Sequence, residues 1–309
     1  MNRYPFSFAC PVCQVPLVAS GETGLRCPSD GHTFQMEDGI WRFLTDERLE
    51  YFHRFMQEYE TVRQAEGRGS PDPAYYRALP YKDLSGMRQN DWNIRAISFR
   101  ALLKQVLQPL EETRLHPLKI LDIGAGNGWL AYRLAQRGHH VAAVDLMTNL
   151  VDGLGSYKHY DASYIPVQAE FDHLPFTSSQ IDLAIYNASL HYSISYRTSL
   201  QEGLRVLSED GTLVIMDSPL YHDPKSGNQM VLERESQFKH RYGFPSNAIP
   251  SENYLTFVRL QELAVELDLH WRFMTPHYGI RWMLRPWIAR LRGTREPANF
   301  ILITGSRVR

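Results

Sequence analysis

Apolar and polar positions change rhythm twice along this chain. Up to about residue 45 the hydrophobic residues come singly, among turn-forming residues and cysteines. From 46 to about 115 the spacing is helical. Phe99, Leu102, Leu103, Val106, Leu107 and Leu110 make an i, i+3, i+4, i+7 stripe, and the breaker-rich loop GRGSPDPAYY separates the helical stretches. From 118 onward short apolar runs alternate with helical segments. LKILDIG, HHVAAVDL, YIPVQAE, IDLAIYNAS and GTLVIMDSP read as buried parallel strands, because a strand covered on both faces loses the polar alternation. LHWRFMT and NFILITGSR supply two more. The pattern predicts an α/β fold with a doubly wound, mostly parallel seven-stranded sheet over 116–309. A helical lid segment, 46–115, and a small cysteine-bearing module, 1–45, precede it.

Composition narrows this picture. With 43% hydrophobic and 22% charged residues the chain has enough apolar material for an ordered core. A net charge of −1 gives no global field that draws nucleic acid or anionic lipid. No run of 18 apolar residues occurs, and the N-terminus lacks the apolar core of a secretory signal, so a cytoplasmic location is expected. The three cysteines, Cys10, Cys13 and Cys27, all fall in the first module. An odd count confined there argues against a disulfide framework. It also excludes a cysteine nucleophile in the large domain, and with it covalent methylation at pyrimidine carbon 5.

The chemistry concentrates at strand ends. Asp122-Ile-Gly124-Ala125-Gly126-Asn-Gly128 follows LKIL and opens the helix WLAYRLAQRG, where glycines let backbone approach a ligand closely. Trp129 stands where a dinucleotide fingerprint has its third glycine, and no Walker lysine follows, which disfavours NAD, FAD and a P-loop. The segment resembles motif I of the class I S-adenosylmethionine-dependent methyltransferases, of methyltransferase type 11-like kind. That resemblance implies S-adenosylmethionine as cofactor. Its amino-acid end would lie on the glycine loop and its ribose on Asp145, a carboxylate able to accept two hydrogen bonds. Glu170, with Asp172 as rival and Phe171 beside it, matches the acid near the adenine. Asn187 ends the strand that faces the transferred methyl, and His191 follows it as candidate catalytic base. Each position also has a plain structural reading, a tight turn for the glycines and a helix cap for the acids.

CPVCQVPL…LRCPSDGHTFQMEDGIWRFL resembles Trm112-like zinc ribbons and those of bacterial rRNA guanine-N1 methyltransferases. The resemblance implies structural zinc on Cys10, Cys13, Cys27 and a fourth ligand, for which His32 is chemically preferred to Asp30. The alternative is a ribbon that folds without metal.

The expected acceptor is a small apolar molecule, quinone-like or natural-product-like, methylated at oxygen or carbon. It would sit between the 46–115 helices and the insert Tyr221–Pro250, which carries Phe238, His240, Tyr242 and Phe244. The ribbon suggests the runner-up, an rRNA or tRNA base methyltransferase, although near-zero charge opposes nucleic acid as a partner. A third reading is a non-catalytic cofactor-binding scaffold. From Arg281 to Arg309 the chain holds seven arginines and one glutamate, interleaved with Trp282, Trp287 and Leu291. That composition suits peripheral contact with a membrane surface or a solvated helix equally.

Overall fold

The computed structural model describes residues 5–308. The first module contributes four short strands, β1 (Val18–Ser20), β2 (Gly24–Arg26), β3 (Thr33–Glu37) and β4 (Ile40–Arg42). Helices α1 (Asp46–Ala65), α2 (Pro73–Ala78) and α3 (Gln89–Leu102) follow, then a π-helical turn over 103–107 and α4 (Gln108–Thr113). Next come β5 (Lys119–Ile123), α5 (Trp129–Ala135), β6 (His140–Asp145), β7 (Ile165–Gln168), β8 (Ile181–Asn187), α6 (Tyr196–Val206) and β9 (Leu207–Met216). The insert holds β10 (Leu220–Tyr221), α7 (Pro224–Tyr242) and β11 (Leu255–Thr256). The chain ends in α8 (Phe257–Glu266), β12 (Leu269–Met274), α9 (Ile280–Met283), α10 (Arg285–Leu291) and β13 (Leu302–Arg307).

All seven predicted strands form, but the sheet has eleven, in the order β1-β2-β3-β4-β7-β6-β5-β8-β9-β13-β12. The extra four belong to the first module. β4 pairs in parallel with β7, with Trp41 opposite Val167 and Arg42 opposite Gln168. This pairing covers what would otherwise be the outer edge of β7, which protects a row of backbone groups that would be unpaired. The described part of the first module, residues 5–45, packs directly on the central sheet. Phe8 packs on Phe176 with ring centroids 5.5 Å apart and on Trp41 at 5.4 Å. Phe6, Phe8, Cys10, Cys27, Phe34, Trp41 and Phe43 share one core with Leu121, Val144 and Tyr186 of the central sheet.

Within the helical segment 46–115 the helices pack in two ways. Trp92, Phe99, Leu102, Val106 and Leu107 pack with Ile120, Trp129 and Leu130, so α3 and the turn after it are a covering layer of the sheet. Helix α1 and the residues just after it reach over the strand ends, joined by Trp92 and Arg95 of α3.

Strand order reverses at β5, from which the chain runs outward through β6 and β7 before returning to β8. That reversal leaves a crevice beyond the C-terminal ends of β5 and β8, the place where open α/β sheets bind ligands. Among the described residues no helix is long and apolar enough to cross a membrane.

Candidate functional site

The loop after β5 is held by its own backbone. Gly124 and Ala125 both donate to the Val144 carbonyl, at 2.8 and 3.0 Å. Gly124, Gly126 and Gly128 have φ of 75°, 55° and 71°, which side-chain-bearing residues rarely adopt. The three glycines serve different ends. A Cβ at Gly124 would lie 2.3 Å from the Ser189 Cβ, and one at Gly128 would lie 2.0 Å from the Tyr164 hydroxyl. At Gly126 the nearest atom would be 3.9 Å away, so that face is open. Gly124 and Gly126 line the crevice, whereas Gly128 answers to packing against Tyr164. Gly128, read from the sequence as a cofactor contact, lies outside the crevice lining.

Asp122, likewise read from the sequence as a cofactor contact, also lies outside the lining. It is fully buried, one oxygen accepts from the Ala131 N–H at 3.2 Å, and the other has no hydrogen-bond partner. Burial, with Asp145 nearby, pushes its carboxyl up to about 7. It stands inside the protein against the first turn of α5, away from the crevice lining.

The crevice has two lobes joined along Gly124, Gly126, Ala188, Tyr59 and Tyr192. The first holds about 710 Å³ of open space between Phe52, Phe55 and Tyr59 of α1 and the strand-end residues Asp145, Met147, Glu170, Phe171 and Asp172. The Asp145 carboxylate accepts from the backbone N–H of Gly126 and of Met147, both at 2.8 Å, which fixes it at the end of β6. Burial raises its pKa. Glu170 is present but engaged. Arg48 of α1 grips it in a fork at 2.8 and 2.5 Å, and His173 lies 3.4 Å away. Burial alone would raise the Glu170 carboxyl, but the bonds from His173 and Arg48 outweigh it and hold it low. Asp172 is tied to the Ser199 hydroxyl. Arg48–Glu170 thus fastens the covering helix to the strand end, a contact no sequence pattern signals.

The second lobe, about 940 Å³, is polar. Its wall includes Ala125, Asn127, Asn187, His191, Asp217 and three arginines, Arg63, Arg68 and Arg95. Arg63 pairs with Asp152, and Arg68 with Glu66 at 2.7 Å. Asn187 has its side-chain oxygen buried without a partner, as has Asp217 one of its carboxylate oxygens. Ala188 and Asp217 close adjacent strands with φ of 53° and 54°, strained values for residues other than glycine that cluster at working sites. His191 is lowered to about 3 by burial, then by Arg234 and Arg95, so the ring is neutral at physiological pH and a weak base. The aromatics expected from the insert are elsewhere. Phe238 meets Tyr242 edge-to-face and Tyr242 stacks on Phe244, with ring centroids 5.3 and 6.2 Å apart. Tyr59, Trp92, Tyr192 and Phe300 line the lobe instead.

The cysteines converge as read, with Asp30 in place of His32. Ligand atoms of Cys10, Cys13, Cys27 and Asp30 all lie within 4.8 Å of one another. The reason is a local two-fold repeat. Gln14 donates to the Cys10 carbonyl at 2.8 Å and Gly31 to the Cys27 carbonyl at 3.1 Å, with φ of 61° and 79°. Cys10 and Cys27 then donate to Val15 and His32, at 2.9 and 2.8 Å. In this repeat Asp30 is the counterpart of Cys13, and His32 the counterpart of Val15, two residues beyond the ligand position. His32 instead sets its ring nitrogen 3.0 Å from the Asp30 carboxylate. A zinc tetrahedron with bonds of about 2.3 Å has edges of roughly 3.8 Å, which this cluster accommodates. Burial pushes the Cys10 thiol up to about 12, while hydrogen bonds from the Cys13 and Cys27 thiols pull the Asp30 carboxyl far down.

Residues 121–215 match a family model described as a methyltransferase domain. The chain is 28% identical over 127 residues to malonyl-(acyl-carrier protein) O-methyltransferase of Geobacter sulfurreducens, covering 39% of this chain and 46% of that protein. It is 29% identical over 141 residues to tRNA 5-carboxymethoxyuridine methyltransferase of Escherichia coli, covering 42% and 53%. The chain therefore spans about half the length of these curated relatives. Among solved structures it is similar to 1,6-didemethyltoxoflavin-N1-methyltransferase of Burkholderia thailandensis, with TM-score 0.48, 15% identity and coverage of 92% and 99%. Residues 121–215, which carry the strands and loops that build the crevice, are thus similar to a methyltransferase domain.

Proposed function

We propose that the protein transfers the methyl group of S-adenosylmethionine to an oxygen of a small-molecule acceptor. The observation that carries this is the open face at Gly126 beside the fixed Asp145 carboxylate, opposite Asn187 with its unpartnered buried oxygen. These residues fit the cofactor. Asp145 would hold the ribose hydroxyls, Gly124 and Gly126 would admit the amino-acid end, and Phe171 with Glu170 and Asp172 would flank the base. The cofactor supplies an electrophilic methyl on a sulfonium, so the protein's work is orientation and exclusion of water. Helix α1, latched by Arg48 to Glu170, covers the first lobe and does the excluding. Transfer to oxygen is favoured by the Geobacter relative, whose name states O-methylation. The apolar acceptor that the sequence suggests gives way to a polar one, since arginines, His191 and Asp217 line the second lobe. His191, neutral and weakly basic, orients the acceptor in this reading without taking its proton.

Methylation of RNA is the second reading, favoured by the E. coli relative named for a tRNA nucleoside. The purified chain, incubated with methyl-labelled cofactor and either a small-molecule extract or total RNA, separates the two. Label in the extract supports the first reading, and label at a single RNA position replaces it with the second.

We also propose that α9 and α10 rest on an anionic lipid surface. Ile280, Met283, Leu284, Trp287, Ile288 and Leu291 form a helical stripe that faces solvent, from 41% exposed at Ile288 to 88% at Leu291. Arg281, Arg285, Arg290 and Arg292 alternate with it, the charge pattern of helices lying in a membrane interface. Zinc on Cys10, Cys13, Cys27 and Asp30 would be structural, tying two turns of the added sheet edge together.

A further inference from the structure

We infer that Asp217 is the base of the second lobe, and that the acceptor it serves carries a weakly acidic hydroxyl on an aromatic ring, giving an aryl methyl ether. This rests on the methyltransferase reading above and names the substrate class of that site.

Asp217 follows β9 and lines the lobe beside Asn187 and Ala188, at the end of the paired strand β8. It is only 8% exposed, so its polar atoms need partners from the protein or from an occupant. One carboxylate oxygen accepts from the Ser98 hydroxyl of α3, which the Tyr278 hydroxyl meets at 2.8 Å. With Ser98 donating to Asp217, Tyr278 donates to Ser98, and the chain of bonds fixes the carboxylate in one orientation. The other oxygen is buried with no partner. A buried acceptor left unmade costs about 1–3 kcal/mol, so this oxygen calls for a donor carried by the lobe's occupant.

The neighbouring charges single out the same residue. His191, lowered to about 3 by burial, is too weak a base. Arg63 and Arg68 are paired with Asp152 and Glu66. Tyr59 on the wall and Tyr278 behind Ser98 are pushed up by burial and stay protonated. Burial also raises the Asp217 carboxyl, against the lowering effect of Ser98 and Arg95, which makes it a stronger base than a free carboxylate. Arg95 lines the lobe with no ion pair among the described residues, its guanidinium over the Trp92 ring, 5.2 Å from the centroid. It supplies a cation for an oxygen that is losing its proton.

The walls narrow the occupant further. Tyr59, Trp92, Tyr192 and Phe300 are all aromatic, which suits a flat ring. A phenolic hydroxyl has an ordinary pKa of about 10 and comes within reach of a raised carboxylate when Arg95 stabilises the phenolate. An aliphatic hydroxyl is a far weaker acid. An ionised carboxylate acceptor would offer Asp217 no proton and would meet its charge. In the transfer, the acceptor's O–H proton passes to the unpartnered oxygen of Asp217. The acceptor oxygen forms the O–CH₃ bond as the S–CH₃ bond breaks, and the electron pair stays on sulfur as a thioether. Asp217 gives its proton to water after the product leaves.

The full chain is incubated with methyl-tritiated S-adenosylmethionine and a small-molecule extract, and the labelled product is purified. The label should resist alkali, which frees methanol from esters. It should be released by boron tribromide, which cleaves methyl ethers and leaves N- and C-methyl groups, and the product should show aromatic ultraviolet absorbance. Asp217→Asn should slow labelling about a hundredfold or more, while binding S-adenosylhomocysteine within about twofold of wild type. The wild-type rate should fall on the acidic side through one protonation, with its midpoint above the ordinary 3.8 of an aspartate. Ser98→Ala removes a bond that lowers this carboxyl, so it should move the midpoint to higher pH by about half a unit or more. Alkali-labile label, label that resists boron tribromide, or a product without aromatic absorbance overturns the inference. So do an Asp217→Asn variant that labels as fast as wild type, a midpoint that Ser98→Ala leaves in place, and absence of label from a chain that binds S-adenosylhomocysteine. Loss of S-adenosylhomocysteine affinity in Asp217→Asn also overturns it, by assigning the carboxylate to the cofactor. A wild-type chain that binds no S-adenosylhomocysteine fails the methyltransferase reading itself.

Discussion

Replacing Asp122 by Asn should make the protein more stable, by an amount that grows with pH. Asp122 is completely buried, accepts one backbone hydrogen bond from Ala131, and faces no cation that would hold it ionised. Burial keeps it protonated up to about 7, against an ordinary 3.8. Between those values the unfolded chain has released a proton that the folded chain retains. The unfolded state therefore binds fewer protons, and wild-type stability falls as pH rises from about 4 to about 7, then levels off. Each pH unit across that window carries about 1.4 kcal/mol, so the cumulative loss approaches about 4 kcal/mol. Asn keeps an acceptor for the Ala131 N–H and cannot ionise. The assay is denaturant unfolding of both proteins from pH 4 to 8. The Asn variant should be near equal to wild type at pH 4 and more stable by several kcal/mol at pH 8, with S-adenosylhomocysteine affinity unchanged within a few-fold. A stability difference that stays constant across this range would refute the reasoning, and an affinity loss of about a hundredfold would return Asp122 to the binding face.

Elemental analysis should find about one zinc per chain, and Asp30→Ala should lose more of it than His32→Ala. Because β4 continues the central sheet and the module shares its core, chelation should also lower the unfolding midpoint of the whole protein. Exchanging Arg285, Arg290 and Arg292 for Glu should abolish binding to anionic vesicles while S-adenosylhomocysteine affinity is retained. Vesicle binding that survives the exchange would remove the proposed membrane contact.

How far the sequence reaches depends on the range of the interactions involved. Strands β5 to β9 were legible because each is a short apolar run ended by a turn. So was the place of Asp145, Glu170 and Asn187, since strand ends are marked by where those runs stop. Gly124, Gly126 and Gly128 look alike in sequence, and only their neighbours, Ser189, open space and Tyr164, tell their roles apart. The parallel pairing of β4 with β7 joins residues about 125 positions apart and left no periodic trace. Asp30 could have been chosen over His32 from sequence, because C-P-V-C followed by C-P-S-D repeats one spacing, a signal stronger than the usual preference of zinc for histidine.

The account's central claim is that the crevice around Gly126 and Asp145 holds S-adenosylmethionine. Isothermal titration of the full chain with S-adenosylhomocysteine tests it most directly. Wild type should bind with a Kd on the order of micromolar, about −8 kcal/mol. Asp145→Ala should weaken this by about tenfold or more through loss of the paired ribose contacts, and NAD should produce no heat. Absence of wild-type binding, or an Asp145→Ala variant that binds as tightly as wild type, would contradict the account.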